Sequence, residues 1–383
     1  MPELQDIFRE FGPAYRAGYK LPLRHLKAMH AIESCRTAEL GGHLDRCEAC
    51  GHLRVSYNSC RNRHCPKCQG AAGEKWLAAR MEDLLPVLYF HVVFTLPDLL
   101  NPLALRNQRE VYALLFRAAS ETLLELAGDP RHLGAKIGLT AVLHTWGQNL
   151  LDHPHLHCLV PGGGISPDGL YWRQSRREFF IPVRVLSRKF RGKFLALLKE
   201  AYREGKLTFP GAIANLETSF PQLLDRLYRM EWVVYCKKPF AGPEYVLRYL
   251  CLYTHRVAIS NSRIVSLEDG KVTFRWRDYR DGRKTKLMTL TAPEFIRRFL
   301  LHILPERFVK IRYFGILSNR TRRVNVKLCR WLTGWRFWRN AALPPERTGA
   351  DPWLCPRCGK GKMIVTRWFD SKSLSPPIVG KTV

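Results

Sequence analysis

Two β-rich stretches set close together restrict this chain more than anything else in it. KIGLTAVLHTW (136–146) is dense in aliphatic and β-branched residues, HLHCLVP (155–161) roughly alternates its faces, and only ten residues separate His144 from His155. Such stretches form strands, and so short a connection allows them to be antiparallel neighbours. VLYFHVVFTL (87–96), ended by Pro97, carries the strongest buried-strand signal, and EWVVYCKK (231–238) a fourth. GGGISPDGLYW (162–172) reads as a small hairpin turning at Pro167–Gly169, and residues 257–276 as two or three short strands. Apolar spacings of three and four predict helices over 13–35, 71–85, 103–127, 184–204, 243–256, 292–303 and 318–332. Strands interleaved with helices, some of them in hairpins, give an α+β fold. The Pro-, Gly- and Ser-rich stretch from about Leu343 reads as loosely structured.

The paired strands also place chemistry. Residues i and i+2 of a strand share a face, so His155 and His157 project together while Leu156 and Cys158 turn into the core. Two imidazoles on one face can reach one ion, whereas a lone histidine would more simply be a core residue. A third ligand is expected from His144, on the neighbouring strand, then Gln148, then His153. Histidines with open coordination positions suit Mg²⁺ or Mn²⁺ acting as a Lewis acid on a phosphodiester oxygen.

In PEYVLRYLCLYTHR (243–256), Tyr249 and Tyr253 lie one helical turn apart, and Tyr245 continues their face. Tyrosine stripes usually pack cores. Here Arg248, Arg256 and the expected metal would favour phenolate over a phenol of pKa ~10, and phenolate is a usable nucleophile.

Cys47 and Cys50 (CEAC) and Cys65 and Cys68 (CPKC) are separated by fourteen residues, a spacing that suits one tetrahedral zinc. Cys35, Cys60, His43 and His64 are left over in the same stretch and would make a second zinc site. RNRH (61–64) adds charge that would touch DNA. Cys355 and Cys358 (CPRC) form a half-site that would need a distant partner, such as Cys329 or a second chain.

Sixty-two Lys and Arg against 33 Asp and Glu leave a formal charge of +29 and a pI near 10.0, which calls for a polyanionic partner. No apolar run reaches the ~18 residues of a membrane span, so nucleic acid is expected rather than a lipid surface. The opening MPELQDIFREFG lacks an apolar segment. Twelve cysteines without an export signal imply metal sites in a reducing cytoplasm. No P-loop pattern occurs, so no nucleotide cofactor is expected. Residues 312–340 hold eight Arg or Lys, six aromatics and no acid, a composition that suits single-stranded DNA. Arg322, Arg323, Trp331 and Trp335 are the candidate contacts there, with Arg248 and Arg256. Arg188, Lys189, Arg191 and Lys193 read as a solvated helix face.

Taken together, SCRNRHCPKC (59–68), FHVVFTLP (90–97), LNPLALRNQ (100–108), HTWGQNLLDHPHLHCLVPGGG (144–164) and YLCLYTHRVAISN (249–261) closely resemble the HUH-type rolling-circle transposases of the insertion-sequence-ninety-one class. The resemblance covers most of the chain. It implies an RRM-like antiparallel sheet flanked by helices, metal histidines His155 and His157 on a central strand, and Tyr249 and Tyr253 as nucleophiles that form 5′-phosphotyrosine links. It also implies single-stranded or hairpin DNA ends as substrate. The spacing of His144, His155 and His157 is similar to the three-histidine site of conjugative relaxases. The resulting division is a helical and zinc-binding module over 1–75 and a nuclease core over 76–280, with a helical insertion at about 165–228. A basic-aromatic helical DNA-binding region follows over 281–342, then a loosely structured tail with the CPRC half-knuckle over 343–383. The rival readings are a replication-initiator or relaxase-type nicking enzyme, and a non-enzymatic zinc-dependent DNA-binding regulator.

Overall fold

The computed structural model describes residues 2–176, 180–237, 257–278, 281–334 and 353–371. In chain order its strands are β1 (Gly42–Cys47), β2 (Leu53–Tyr57), β3 (Tyr89–Thr95), β4 (Gly138–Trp146), β5 (Asp152–Pro161), β6 (Gly163–Ile165), β7 (Trp172–Gln174) and β8 (Val234–Lys237). They continue as β9 (Ile264–Glu268), β10 (Lys271–Asp278), β11 (Lys284–Thr291), β12 (Ile311–Gly315) and β13 (Met363–Phe369). The fold is α+β. Five strands form the central sheet in the order β12-β4-β5-β3-β8, antiparallel throughout. β9, β10 and β11 form a meander, β6 and β7 a small hairpin, and β13, β1 and β2 a three-stranded ribbon.

Period-two alternation divides the central sheet between a core face and a site face. Phe90, Val92 and Phe94 of β3, Leu139, Ala141 and Leu143 of β4, and Leu156, Cys158 and Val160 of β5 all enter one apolar core. The helices Gln108–Gly128, Val183–Arg203 and Phe220–Arg229 cover that face, contributing Leu115, Leu123, Phe190, Phe194 and Leu223 among others. Each fully buried side chain of this size is worth ~1.5–3 kcal/mol of transfer free energy, so the register of every strand is fixed by the core. A slip of one residue would put the histidines inside and the leucines in water.

A second core joins the first two helices, Leu4–Gly18 and Leu23–Glu33, to the meander and the helix Ala292–Leu301. Phe8 meets Phe299 edge-on at 5.4 Å, and Phe274 meets Phe295 at 5.8 Å. A third, smaller core lies where Trp76 and Leu77 of the helix Pro66–Met81 meet Val326 and Cys329 of the helix Arg322–Leu332.

Four segments depart from the sequence reading. The first helix starts at Leu4, where the main-chain N–H of Glu3 donates to Asp6 at 2.8 Å. The expected 13–35 helix breaks at Tyr19–Pro22, because a proline disfavours the α conformation of the residue before it. β1 and β2 form a polar hairpin whose short alternation is hidden among the cysteines. The 281–342 region is not uniformly helical, since Lys284–Thr291 is a strand of the meander and Ile311–Gly315 an edge strand of the central sheet. Finally, residues 353–371, expected to be loose, end in β13, which pairs with β1 from Gly42↔Phe369 to Cys47↔Met363.

Candidate functional site

His144 of β4 stands directly opposite His155 of β5, and His157 lies two residues further on the same face. The three rings converge, with centroids 5.4 Å apart for His144–His155, 4.6 Å for His144–His157 and 4.8 Å for His155–His157. One nitrogen from each falls within 4.8 Å of the others. Behind them Leu143, Leu156 and Cys158 anchor the strands in the core. His144 and His157 are buried and His155 is half-buried, so the group opens to solvent on the His155 side.

Hydrogen bonds orient these rings. Nδ1 of His155 lies 2.6 Å from the carbonyl oxygen of His153, to which it donates, leaving Nε2 as the nitrogen that can ligate. Nδ1 of His157 lies 2.8 Å from Nε2 of His91, and the two rings stack at 5.0 Å and 8°. His91 comes from β3, on the same sheet face. Burial, with Lys237 beside it, pushes its imidazole down to about 4, so it stays neutral at physiological pH. Trp146 stacks on His144 at 4.7 Å and 17°, and so ties the site to the second core. The donor set of three imidazoles with two Nδ1 atoms already engaged fits a divalent ion with open coordination positions.

His91 was missed in the sequence, although a polar residue inside an apolar strand was the available signal. Tyr235 was also passed over. It lies opposite Val93, which lies opposite His157, so its half-exposed ring is on the site face. Of the other third-ligand candidates, His153 sits beside His155 at 5.0 Å and contributes its carbonyl. The main-chain carbonyl of Gln148 accepts from Arg263. Tyr245, Tyr249, Tyr253, Arg248, Arg256 and Trp335 lie outside the described residues.

The cysteines group differently from the sequence reading. Cys47 and Cys50 do not share a site with Cys65 and Cys68. One quartet is Cys35, Cys60, Cys65 and Cys68, and the other is Cys47, Cys50, Cys355 and Cys358. The reason is the β1–β2 hairpin. Cys47 and Cys50 occupy its turn, while Cys35 and Cys60 flank its open end, about five residues or ~16 Å of strand away. In the first quartet, Sγ of Cys68 is 3.6 Å from both Cys35 and Cys60, close to the ~3.8 Å edge of a tetrahedron with Zn–S of ~2.3 Å. It is embedded in the second core, with Cys35 and Cys65 fully buried.

His43 and His64, expected in a second zinc site, join neither group. His43 Nε2 lies 3.3 Å from Asp45, and its ring packs on Trp368. Burial, then the charges of Arg63 and Lys310, hold the His64 imidazole well below its usual range. Arg63 is tied to the protein's own backbone, donating to the carbonyl of Pro305 at 2.7 Å.

The basic-aromatic region divides in the same way. Phe314 packs against the main core, and Tyr313 accepts the Trp76 indole N–H at 3.1 Å. Arg322 lies over the Tyr313 ring and pairs with Asp83 at 3.2 Å, so it is held inside the molecule. Arg323 and Trp331 are exposed, Trp331 by 69%. Among the described residues no helix is long and apolar enough to cross a membrane.

Comparison with known proteins sets these groups in context. A family model described as "Putative transposase" matches residues 138–325, which contain all three convergent histidines. A "Transposase zinc-binding domain" of the IS91 type matches residues 7–96. The chain is 52% identical to "Putative transposase y4qJ" of Sinorhizobium fredii, over 98% of this chain and 97% of that one. It is 29% identical to the transposase for insertion sequence element IS801 of Pseudomonas savastanoi pv. phaseolicola, over 75% of this chain and 68% of that one. No solved structure matches it. The zinc-binding domain and the quartet of Cys35, Cys60, Cys65 and Cys68 that lies wholly within it together support structural zinc.

Proposed function

Because the chain belongs to the IS91 family of transposases, with an N-terminal zinc-binding domain, we propose that it nicks and rejoins single DNA strands by tyrosine attack at a divalent-metal site built from His144, His155 and His157. The observation that carries this reading is the convergence of three imidazoles from adjacent strands on a face turned away from the core.

The protein's own groups supply orientation and charge. His153 and His91 fix the rings of His155 and His157, and the core behind β4 and β5 fixes the strands. A bound Mg²⁺ or Mn²⁺ would supply Lewis-acid polarisation of a non-bridging phosphodiester oxygen. The attacking group is the phenolate of Tyr249 or Tyr253. It forms the tyrosyl O–P bond as the bond from phosphorus to the 3′ oxygen breaks, and the leaving 3′ oxygen takes up a proton. The 5′-phosphotyrosine conserves the phosphodiester energy, so a 3′-OH can reverse the step without a nucleotide cofactor. With two tyrosines, one holds the first strand end while the other attacks the next. The net charge of +29 suits the polyanionic substrate, a single strand or a hairpin element end, through counterion release. The site of action follows the DNA, in the nucleoid of a bacterial cytoplasm.

Incubation of the full chain with single-stranded DNA from the flanks of its encoding element and Mn²⁺ is expected to give a covalent protein–DNA band on a denaturing gel. Tyr249→Phe plus Tyr253→Phe should remove it. An adduct that survives the double substitution refutes the nucleophile assignment, and absence of any adduct from the wild type refutes the nuclease reading.

A further inference from the structure

We propose that Cys47, Cys50, Cys355 and Cys358 hold a second structural metal ion, zinc or a divalent ion of like size, that closes a ribbon assembled from two segments 305 positions apart. The zinc-binding match ends at residue 96 and the transposase match at residue 325, so neither reaches Cys355 or Cys358.

The distances come first. Sγ of Cys47 is 3.7 Å from Cys358, and Sγ of Cys50 is 3.7 Å from Cys355. A disulfide needs ~2.05 Å, whereas two corners of a zinc tetrathiolate lie ~3.8 Å apart.

The two halves are also the same turn written twice. CEACG and CPRCG each place glycine after the second cysteine, in the left-handed region at φ +69 for Gly51 and +63 for Gly359. Each glycine N–H returns to the carbonyl of the first cysteine, at 3.0 Å for Gly51 to Cys47 and 2.9 Å for Gly359 to Cys355. Amide N–H groups then point at sulfur: Cys50 to Cys47 at 3.5 Å, Arg357 to Cys355 at 3.4 Å and Gly361 to Cys358 at 3.5 Å. A Cβ on Gly361 would lie 2.6 Å from the sulfur of Cys47, so that position also requires glycine for the two turns to close on each other.

Burial alone cannot hold this assembly. Its private core is Met363 with Cys47, Cys355 and Cys358 packed around it, far less apolar surface than a free-standing unit needs. Strand pairing of β13 with β1 adds hydrogen bonds but brings four thiols together at the turn end. Four thiols so placed are what a tetrahedral cation gathers, and binding it sends the thiol protons to water.

The test counts ions on the full chain. Zinc released by a mercurial, which frees thiolate-bound ion, should be two per wild-type chain. Cys355→Ser plus Cys358→Ser should leave one, and adding Cys47→Ser plus Cys50→Ser should still leave one. Cys47→Ser plus Cys50→Ser combined with Cys65→Ser plus Cys68→Ser should leave none. A count of one in the wild type, or no change on replacing Cys355 and Cys358, overturns the proposal. A measurement free of variants is zinc-dependent protection from alkylation. Cys355 and Cys358 should be protected together with Cys47 and Cys50 as one group, and alkylation of Cys355 and Cys358 at the free-thiol rate in the zinc-loaded wild type also overturns it.

Discussion

The histidine group and the first cysteine quartet are clusters of metal-ligating side chains of opposite design. Cys35, Cys60, Cys65 and Cys68 are four soft ligands closed on one another and set in an apolar core with Phe8 and Phe299, only Cys60 being half-buried at its edge. His144, His155 and His157 are three nitrogen ligands on a sheet face, with His155 open to solvent. A closed tetrathiolate leaves no place for a reactant, and its binding free energy is folding free energy. An incomplete imidazole shell leaves coordination positions for a phosphate, and the sheet stands without the ion because its register comes from the leucines behind. The difference teaches which cluster the fold should depend on and which, on the proposed function, the reaction should.

The largest expected effect separates them outright. His155→Ala plus His157→Ala should abolish adduct formation while leaving thiolate-bound zinc and the far-UV circular dichroism spectrum unchanged. Cys35→Ser plus Cys68→Ser should instead lower the unfolding temperature and lose one zinc. Loss of adduct formation in that variant would then track the unfolded fraction rather than the chemistry. A histidine double variant that unfolds would break the comparison.

A smaller effect should sharpen the open site. His91 meets the Nδ1 of His157 at 2.8 Å and stacks on its ring, so on the proposed function it would position a ligand. Outer partners of this kind typically contribute ~10–100-fold to metal affinity. His91→Ala is expected to weaken Mn²⁺ binding by about that factor in calorimetry, and His91→Gln, which keeps a hydrogen-bonding group in reach, to recover part of it. Equal loss in both would make His91 a packing residue alone.

Four of the five strands of the central sheet were legible because their information is local, whereas β12 lay hidden in the basic-aromatic region. Alternation in β5 puts His155 and His157 on one face, and the ten-residue interval made His144 the first candidate for the third position, which the register of β4 on β5 then places opposite His155. Cysteine spacing was misleading for a physical reason. Nearness in sequence made one ribbon of Cys47, Cys50, Cys65 and Cys68, but a hairpin holds its turn away from its open end, and β13 arrives from far along the chain. The matching CEACG and CPRCG turns were the only trace of that pairing. Basic and aromatic composition likewise could not separate Arg322, spent on Asp83 and Tyr313, from exposed Arg323. Whether a cation meets solvent depends on what packs beside it.

The smallest expected effect concerns Tyr235, a tyrosine on the site face that neither the spacing of the tyrosine helix nor the histidine motif points to. It lies one strand beyond Val93 from His157, and its ring is half exposed. An exposed ring there can stack on a base of a bound single strand, worth ~1–3 kcal/mol. Tyr235→Ala should therefore weaken single-stranded DNA binding by roughly 5- to 150-fold. Tyr235→Phe keeps the π face and should bind and form adduct like the wild type. If Tyr235→Phe alone removes the adduct, the nucleophile stands on β8 rather than in the 243–256 segment. The open site would then be completed by the sheet itself.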